Sequence, residues 1–123
     1  MKTLTKAEEQ IMQCIWQLKK GFLKDIMDRL PEPKPAYTTV ATIINTLVRK
    51  GFVDFKQYGK LREYHPEVSR NNYFAGQVKG IVSNFFNNSY SQFASAFTAD
   101  NLSLTELEEL KEMLEREIHH KKQ

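Results

Sequence analysis

"TTVATIINTLVRKGFV", residues 38–53, carries Val40, Ile43, Ile44, Leu47 and Val48 at the spacing that gathers apolar residues on one face of a helix. The opposite face presents Thr38, Thr42, Asn45, Thr46 and Arg49, and no carboxylate. Gly51 stops the helix, with Arg49 and Lys50 in the last turn, where cations suit the negative end of the dipole. A polar face of this kind suits solvent, a protein groove or a nucleic-acid groove, and the flanking sequence has to decide between them.

Working toward the N-terminus, "PEPKPAY" (31–37) holds three prolines in five residues, which forbid a helix and make a stiff connection. Before it, "FLKDIMDRL" (22–30) reads as a short helix with Phe22, Leu23, Ile26, Met27 and Leu30 inward. The first helix opens at "TKAE", where Thr5 caps and Glu8 reaches back in a capping box. Ile11, Met12, Ile15, Trp16 and Leu18 follow as its apolar face, up to the stop "KKG" at 19–21. Working the other way, "FVDFKQYGKLREYH" (52–65) is rich in aromatic and branched residues, with Tyr58-Gly59 as the tight-turn candidate. It reads as a two-stranded hairpin ending at Pro66, and it must lean on the helices, since an isolated hairpin is marginal in water. Three helices followed by a basic hairpin is the order of a winged-helix DNA-binding domain, here residues 1–68, with the hairpin as the wing.

Residues 69–123 continue with three more helical patterns. "NYFAGQVKGIVSNFF" spaces Phe74, Val78, Ile81, Val82 and Phe85 helically, and "YSQFASAF" adds Tyr90, Phe93, Ala94 and Phe97. The last helix begins at "SLTE", a second capping box from Ser103 to Glu106, and runs through Leu104, Leu107, Leu110, Leu114 and Ile118. So short a region cannot bury this much apolar surface alone. It either folds back on residues 1–68 or packs against a second copy, with Phe85, Phe93 and the Leu104–Ile118 stripe as the dimerisation surface. The second arrangement matches a two-fold symmetric DNA site. The expected fold is thus mainly α with one small β-hairpin: a winged helix-turn-helix domain plus a helical dimerisation region.

Charge agrees with this division. Residues 1–68 hold twelve Lys/Arg against eight Asp/Glu, whereas residues 69–123 hold six against seven. Within 49–63, Arg49, Lys50, Lys56, Lys60 and Arg62 face only Asp54 and Glu63, a pattern suited to phosphate contacts as well as to plain solvation. No apolar run is long enough to span a membrane, and "MKTLTKAEEQ" lacks a signal-peptide core, so a soluble cytoplasmic protein is expected. The single cysteine, Cys14, excludes an intrachain disulfide and any multi-cysteine metal site. No phosphate-binding glycine loop, His-Glu-x-x-His or serine-nucleophile motif occurs, so neither an enzyme, a cofactor nor a metal is expected. His65, His119 and His120 read as packing or solvated residues.

These segments resemble the penicillinase-repressor family of bacterial transcription regulators (BlaI/MecI type). The resemblance rests on "LTKAEEQIMQCIW" (4–16), "TTVATIINTLVRKGFV" (38–53), "REYHPEVS" (62–69) and "LSLTELEELKEML" (102–114). It implies a homodimeric winged-helix repressor of genes such as those for β-lactamase, bound to a double-stranded DNA operator. It also implies relief of repression through a membrane sensor-linked protease that cuts in the C-terminal part. Aligned on the family, the cut falls at Ala96-Phe97, where relatives carry Asn before the Phe; the stretch "SQFASAFTADN" (91–101) reads as the joint between the fifth and sixth helices. Relatives also often carry a Lys and two Arg where this chain has Thr38, Ala41 and Thr46, a departure that bears on the operator sequence. The cysteine-rich C-terminus of the copper-responsive branch is absent.

The polar face of 38–49 is therefore expected in the major groove. Thr38 and Thr39 sit at the helix N-terminus for phosphate or base contact. Thr42 and Asn45 serve as base readers, Asn because its amide pairs bidentately with adenine, and Thr46 adds a methyl contact. Arg49, Lys50, Lys60 and Arg62 are expected on phosphates. A winged helix serving as a protein-interaction module is the alternative, and a non-specific DNA-packaging protein a third reading disfavoured by the net charge of only +3.

Overall fold

In the computed structural model, which describes residues 3–123, the element order is helix, helix, helix, hairpin, helix, helix, helix. The first helix, α1 (Lys6–Leu18), is entered through the expected capping box: the Thr5 hydroxyl accepts from the Glu8 N–H at 3.1 Å, and the Glu8 carboxylate accepts from the Thr5 N–H at 2.9 Å. The helix α2 (Leu23–Arg29) is short, and Asp25 accepts from the Phe22 N–H at its entry. Lys34, from the proline-rich connection, closes the other end by donating to the carbonyls of Met27 and Leu30.

The third helix, α3 (Tyr37–Arg49), buries Val40, Ile44 and Leu47. It ends in a Schellman motif: the Phe52 N–H reaches the Leu47 carbonyl at 3.0 Å and the Gly51 N–H reaches Val48 at 3.1 Å. Gly51 takes φ +84°, the left-handed conformation this ending needs and glycine tolerates. Phe52, then fully buried, anchors the start of the hairpin β1 (Val53–Tyr58) and β2 (Leu61–Pro66).

The hairpin turn is Gly59-Lys60, one residue beyond the expected Tyr58-Gly59. Gly59 alone has a positive φ, as a type II′ turn requires, and Tyr58 pairs with Leu61. The register then sets Phe55 opposite Tyr64 and Asp54 opposite His65. Gly21 adds a bridge to Tyr64, with bonds of 2.9 and 2.8 Å, which ties the hairpin to the α1–α2 connection.

Beyond the hairpin come α4 (Arg70–Phe86), α5 (Tyr90–Asn101) and α6 (Leu104–Lys121). The chain divides into two compact units, one reaching Val78 and the other Lys79–Gln123, so the division lies ten residues beyond the 68/69 boundary read from sequence. The reason is Tyr73. Its ring is buried 5.8 Å from Phe52 and 6.0 Å from Trp16, and its hydroxyl accepts from the Leu4 N–H. Trp16 in turn donates its indole N–H to the Val68 carbonyl at 2.8 Å. The core of the first unit is the cluster of Ile11, Met12, Ile15, Ile26, Val40, Ile44, Leu47, Phe52 and their neighbours. In the second unit, Val82 is the one buried residue among those described, and neither α5 nor α6 buries any. Phe86, Phe93 and Phe97 form a small aromatic stack within it.

The stretch 91–101, read from sequence as an interhelix joint, is helical through Asn101, and the joint is only Leu102-Ser103. Thr98 and Asn101 hold the last turn by donating to the carbonyls four residues back. Ala96-Phe97 is consequently an intrahelical bond. No described helix is long and apolar enough to cross a membrane.

Candidate nucleic-acid interface

The apolar stripe of α3 fixes which side of the helix faces out. With Val40, Ile44 and Leu47 in the core, Thr38, Thr39, Thr42, Asn45 and Arg49 are exposed and Thr46 is half-buried. The helix N-cap is Ala36, whose side chain offers no oxygen to the first-turn N–H groups, and that turn contains no acidic residue. The positive end of the dipole is thus left open to an anion.

Two of the threonines are less free than their exposure implies. Thr42 donates its hydroxyl to the Thr38 carbonyl at 2.9 Å, and Thr46 donates to Thr42 at 3.1 Å. Each turns its proton inward and leaves a methyl group and an acceptor oxygen for any partner. Arg49 donates to the Thr46 hydroxyl oxygen at 3.0 Å, which orients its guanidinium along the exposed face. Asn45 makes no hydrogen bond among those of the described residues, so its amide is the uncommitted one.

On the hairpin, Lys60 occupies the turn and Lys56 and Arg62 are exposed. The Arg62 guanidinium carbon lies 4.3 Å from the centre of the Phe55 ring, a cation–π contact that preorganises it while its N–H edge stays available. A groove of about 400 Å³ runs between α3, α2 and the hairpin, with Asn45, Lys60 and Arg62 in its lining. The sequence-predicted residues Asn45, Lys60 and Arg62 therefore converge on one concavity.

Lys50 does not join them. Its ammonium donates to both carboxylate oxygens of Glu8, at 2.9 and 2.8 Å, and its charge is spent within the fold. Burial alone would raise the Glu8 carboxyl. The hydrogen bond and charge of Lys50, together with the Thr5 bonds, outweigh it and hold the pKa below the ordinary carboxylate value. Glu8 is thus both cap of α1 and anchor for the C-terminal end of α3. Its second role was invisible in a sequence where the partners lie 42 residues apart.

Other groups have surroundings of their own. Cys14 is buried, and burial pushes its thiol upward against the opposing charges of Arg29 and Lys34, the opposite of a reactive thiolate. His65 pairs with Glu67 at 2.9 Å beside Asp54 at the exposed base of the hairpin. Of the residues expected to dimerise, Phe85, Leu104, Leu107, Leu114 and Ile118 are exposed, while Phe93 and Leu110 are half-buried. Sequence reasoning missed Tyr37 and Leu61, both exposed and both lining the groove. A helical wheel puts Tyr37, Ala41 and Asn45 on one flank of α3, and that spacing was the available signal.

Comparison with known proteins adds the lineage. The fold resembles the solution structure of the DNA-binding domain of the repressor BlaI, with a TM-score of 0.52 at 22% identity, covering 59% of this chain and 94% of that one. Over its length the chain is 25% identical to the methicillin resistance regulatory protein MecI of Staphylococcus aureus, covering 92% of this chain and 94% of the relative. It is 23% identical to the penicillinase repressor of Bacillus licheniformis, covering 98% and 95%. The penicillinase repressor family model matches residues 4–116, and the chain belongs to that family.

Proposed function

We propose that the protein is a cytoplasmic, homodimeric DNA-binding repressor that sets α3 in the major groove of an operator and rests its hairpin on the flanking phosphates. The observation that carries this reading is the outer face of α3. It is polar, carboxylate-free and exposed, and it lies beside a groove rimmed by Lys60 and Arg62. Asn45 and Thr42 read base edges, Thr46 contributes its methyl, and Thr38 and Thr39 meet phosphate or base at the open helix end. Arg49, Lys60 and Arg62 neutralise phosphates; Lys50 is excluded because Glu8 holds it.

The dimer is formed by the second unit. Phe85, Leu104, Leu114 and Ile118 are left exposed there, and a second copy is the occupant that also doubles the DNA contacts on a two-fold site. The names of the relatives point to β-lactam resistance genes as the targets, and a sensor-linked protease is the proposed route of relief.

The test is selection of bound fragments from the source genome, followed by binding at several salt concentrations. The expected result is a short palindromic site, bound at least about 10³-fold more tightly than competitor DNA and weakened steeply by salt. Sedimentation of the full chain should give a dimer at micromolar concentration. A monomer would remove the two-fold operator from the reading. Failure to bind duplex DNA would leave a protein-interaction module in its place.

A further inference from the structure

The groove between α3 and the hairpin has two kinds of lining that folding does not require. Tyr37 is 58% exposed and Leu61 60% exposed, yet both are large hydrophobic side chains lining the same concavity, one from α3 and the other from the hairpin. Ala41, one turn on from Tyr37, adds a small uncharged side chain to the lining. Lys24, Lys60 and Arg62 line the same groove as cations. The carboxylate there, Asp25, is engaged by the Phe22 N–H at 2.9 Å. Apolar walls interleaved with cations match a polymer in which apolar rings alternate with anions.

We propose that one sugar–phosphate strand of duplex DNA runs through this groove, with a deoxyribose held between Tyr37 and Leu61 and the adjoining phosphates on Lys60, Arg62 and Lys24. The inference rests on the DNA-binding reading above and extends it to a residue pair that positions the backbone. Base edges are met by Thr42 on the outward face of α3 and by Asn45 where that face borders the groove. The flank bearing Tyr37 and Ala41 is turned toward the hairpin, where the strand between the two grooves of the duplex has to pass. Two consequences separate this contact from an ordinary phosphate contact. Its affinity comes from apolar burial and does not depend on salt. A 2′-hydroxyl forced between the tyrosine and the leucine loses its water without gaining a partner, so the groove selects deoxyribose at that nucleotide.

The experiment uses the full chain and its selected duplex. Tyr37→Ala and Leu61→Ala are each expected to weaken binding about five- to tenfold while leaving the slope of log K against log salt unchanged. Lys60→Ala should lower that slope by about one per bound chain. Duplexes carrying a single ribonucleotide, moved along one strand, should lose about fivefold or more at one or two positions per half-site. Leu61→Ala should erase that loss by opening the slot. Equal urea midpoints, read from Trp16 fluorescence, would exclude misfolding of these exposed-site variants. Unchanged affinity of Tyr37→Ala and Leu61→Ala overturns the proposal, as does a change in their salt slope. A penalty from uracil-for-thymine replacement in place of the ribonucleotide penalty also overturns it, because the slot would then hold a base methyl. Absence of any selective duplex binding by the unaltered chain instead refutes the DNA-binding reading itself.

Discussion

Removing the Lys50 ammonium should be among the most costly single changes to a side chain that touches solvent. Its partner Glu8 has only 6% of its side chain exposed and Lys50 24%, so the pair lies closer to the buried than to the surface class of ion pairs. Surface pairs contribute about 0–1 kcal/mol, whereas stranding one buried charge costs about 3–5 kcal/mol. The residual exposure of Lys50 puts Lys50→Met near the lower end, about 3 kcal/mol. Glu8→Gln should cost less, because a glutamine oxygen still accepts from the Thr5 N–H and no anion is left buried. The double variant should be more stable than Lys50→Met alone, with a coupling of at least about 1 kcal/mol. The assay is urea unfolding followed by the fluorescence of Trp16, the sole tryptophan, whose indole bonds to Val68 inside the same unit. For a domain of this size, the Lys50→Met midpoint should fall by more than about 1 M. The pH dependence has a definite sign. Glu8 titrates below its ordinary value in the folded chain, so the unfolded chain takes up the proton first as pH falls. The stabilisation is complete above the ordinary carboxylate value and is lost as pH falls through the lowered one. Glu8→Gln should remove this part of the acid sensitivity. A Lys50→Met cost below about 1 kcal/mol would falsify the buried-pair reasoning.

The remaining expectations concern turns, recognition and relief. Gly51→Ala should cost about 1–2 kcal/mol from the left-handed backbone alone, since no atom lies within 4 Å of the new methyl; a neutral result in the same urea assay would contradict this. Asn45→Ala should cost about 1–3 kcal/mol on the selected site and relax preference at one base pair. An unchanged preference in a repeated selection would reassign the base reader. If repression ends by cutting Ala96-Phe97, α5 must first unwind there, since proteases take extended chain. Replacing Ala94 and Ala99 with glycine should therefore speed cleavage in source cells exposed to a β-lactam, followed by mass spectrometry. Intact chain persisting while target genes switch on would point to a different release.

What could be read from the sequence was whatever a few neighbouring residues decide between themselves. Thr5 with Glu8, Ser103 with Glu106, and Gly51 after a helical stripe are contacts between residues at most a few positions apart, and each lies where its local pattern puts it. The exposed polar face of α3 follows from periodicity in the same way. The hairpin was legible as a hairpin but not in its pairing. A turn one residue earlier would set Phe55 opposite Arg62 rather than Tyr64, and the left-handed Gly59 at the first turn position favours the pairing observed. The bridge from Gly21 to Tyr64, between residues more than forty positions apart, is a contact that no local pattern shows. Tyr73 and Lys50 escaped for the same reason. Tyr73 falls in the stretch assigned to the second region, and Lys50 among the cations expected on phosphates. Each is claimed by a partner from the first turn of the chain, Tyr73 by the Leu4 N–H and Lys50 by the Glu8 carboxylate. That convergence has a functional side. The residues ahead of α1 and in its first turn hold the C-terminal end of α3 and the first half of α4, so the element that presents Asn45 is braced from outside the interface. A substitution at Tyr73 or Glu8 can therefore weaken operator binding without touching DNA, and it should do so for every sequence alike. A loss of that kind, uniform across sites and matched by a fall in the urea midpoint, would separate bracing residues from the readers proposed on the face of α3.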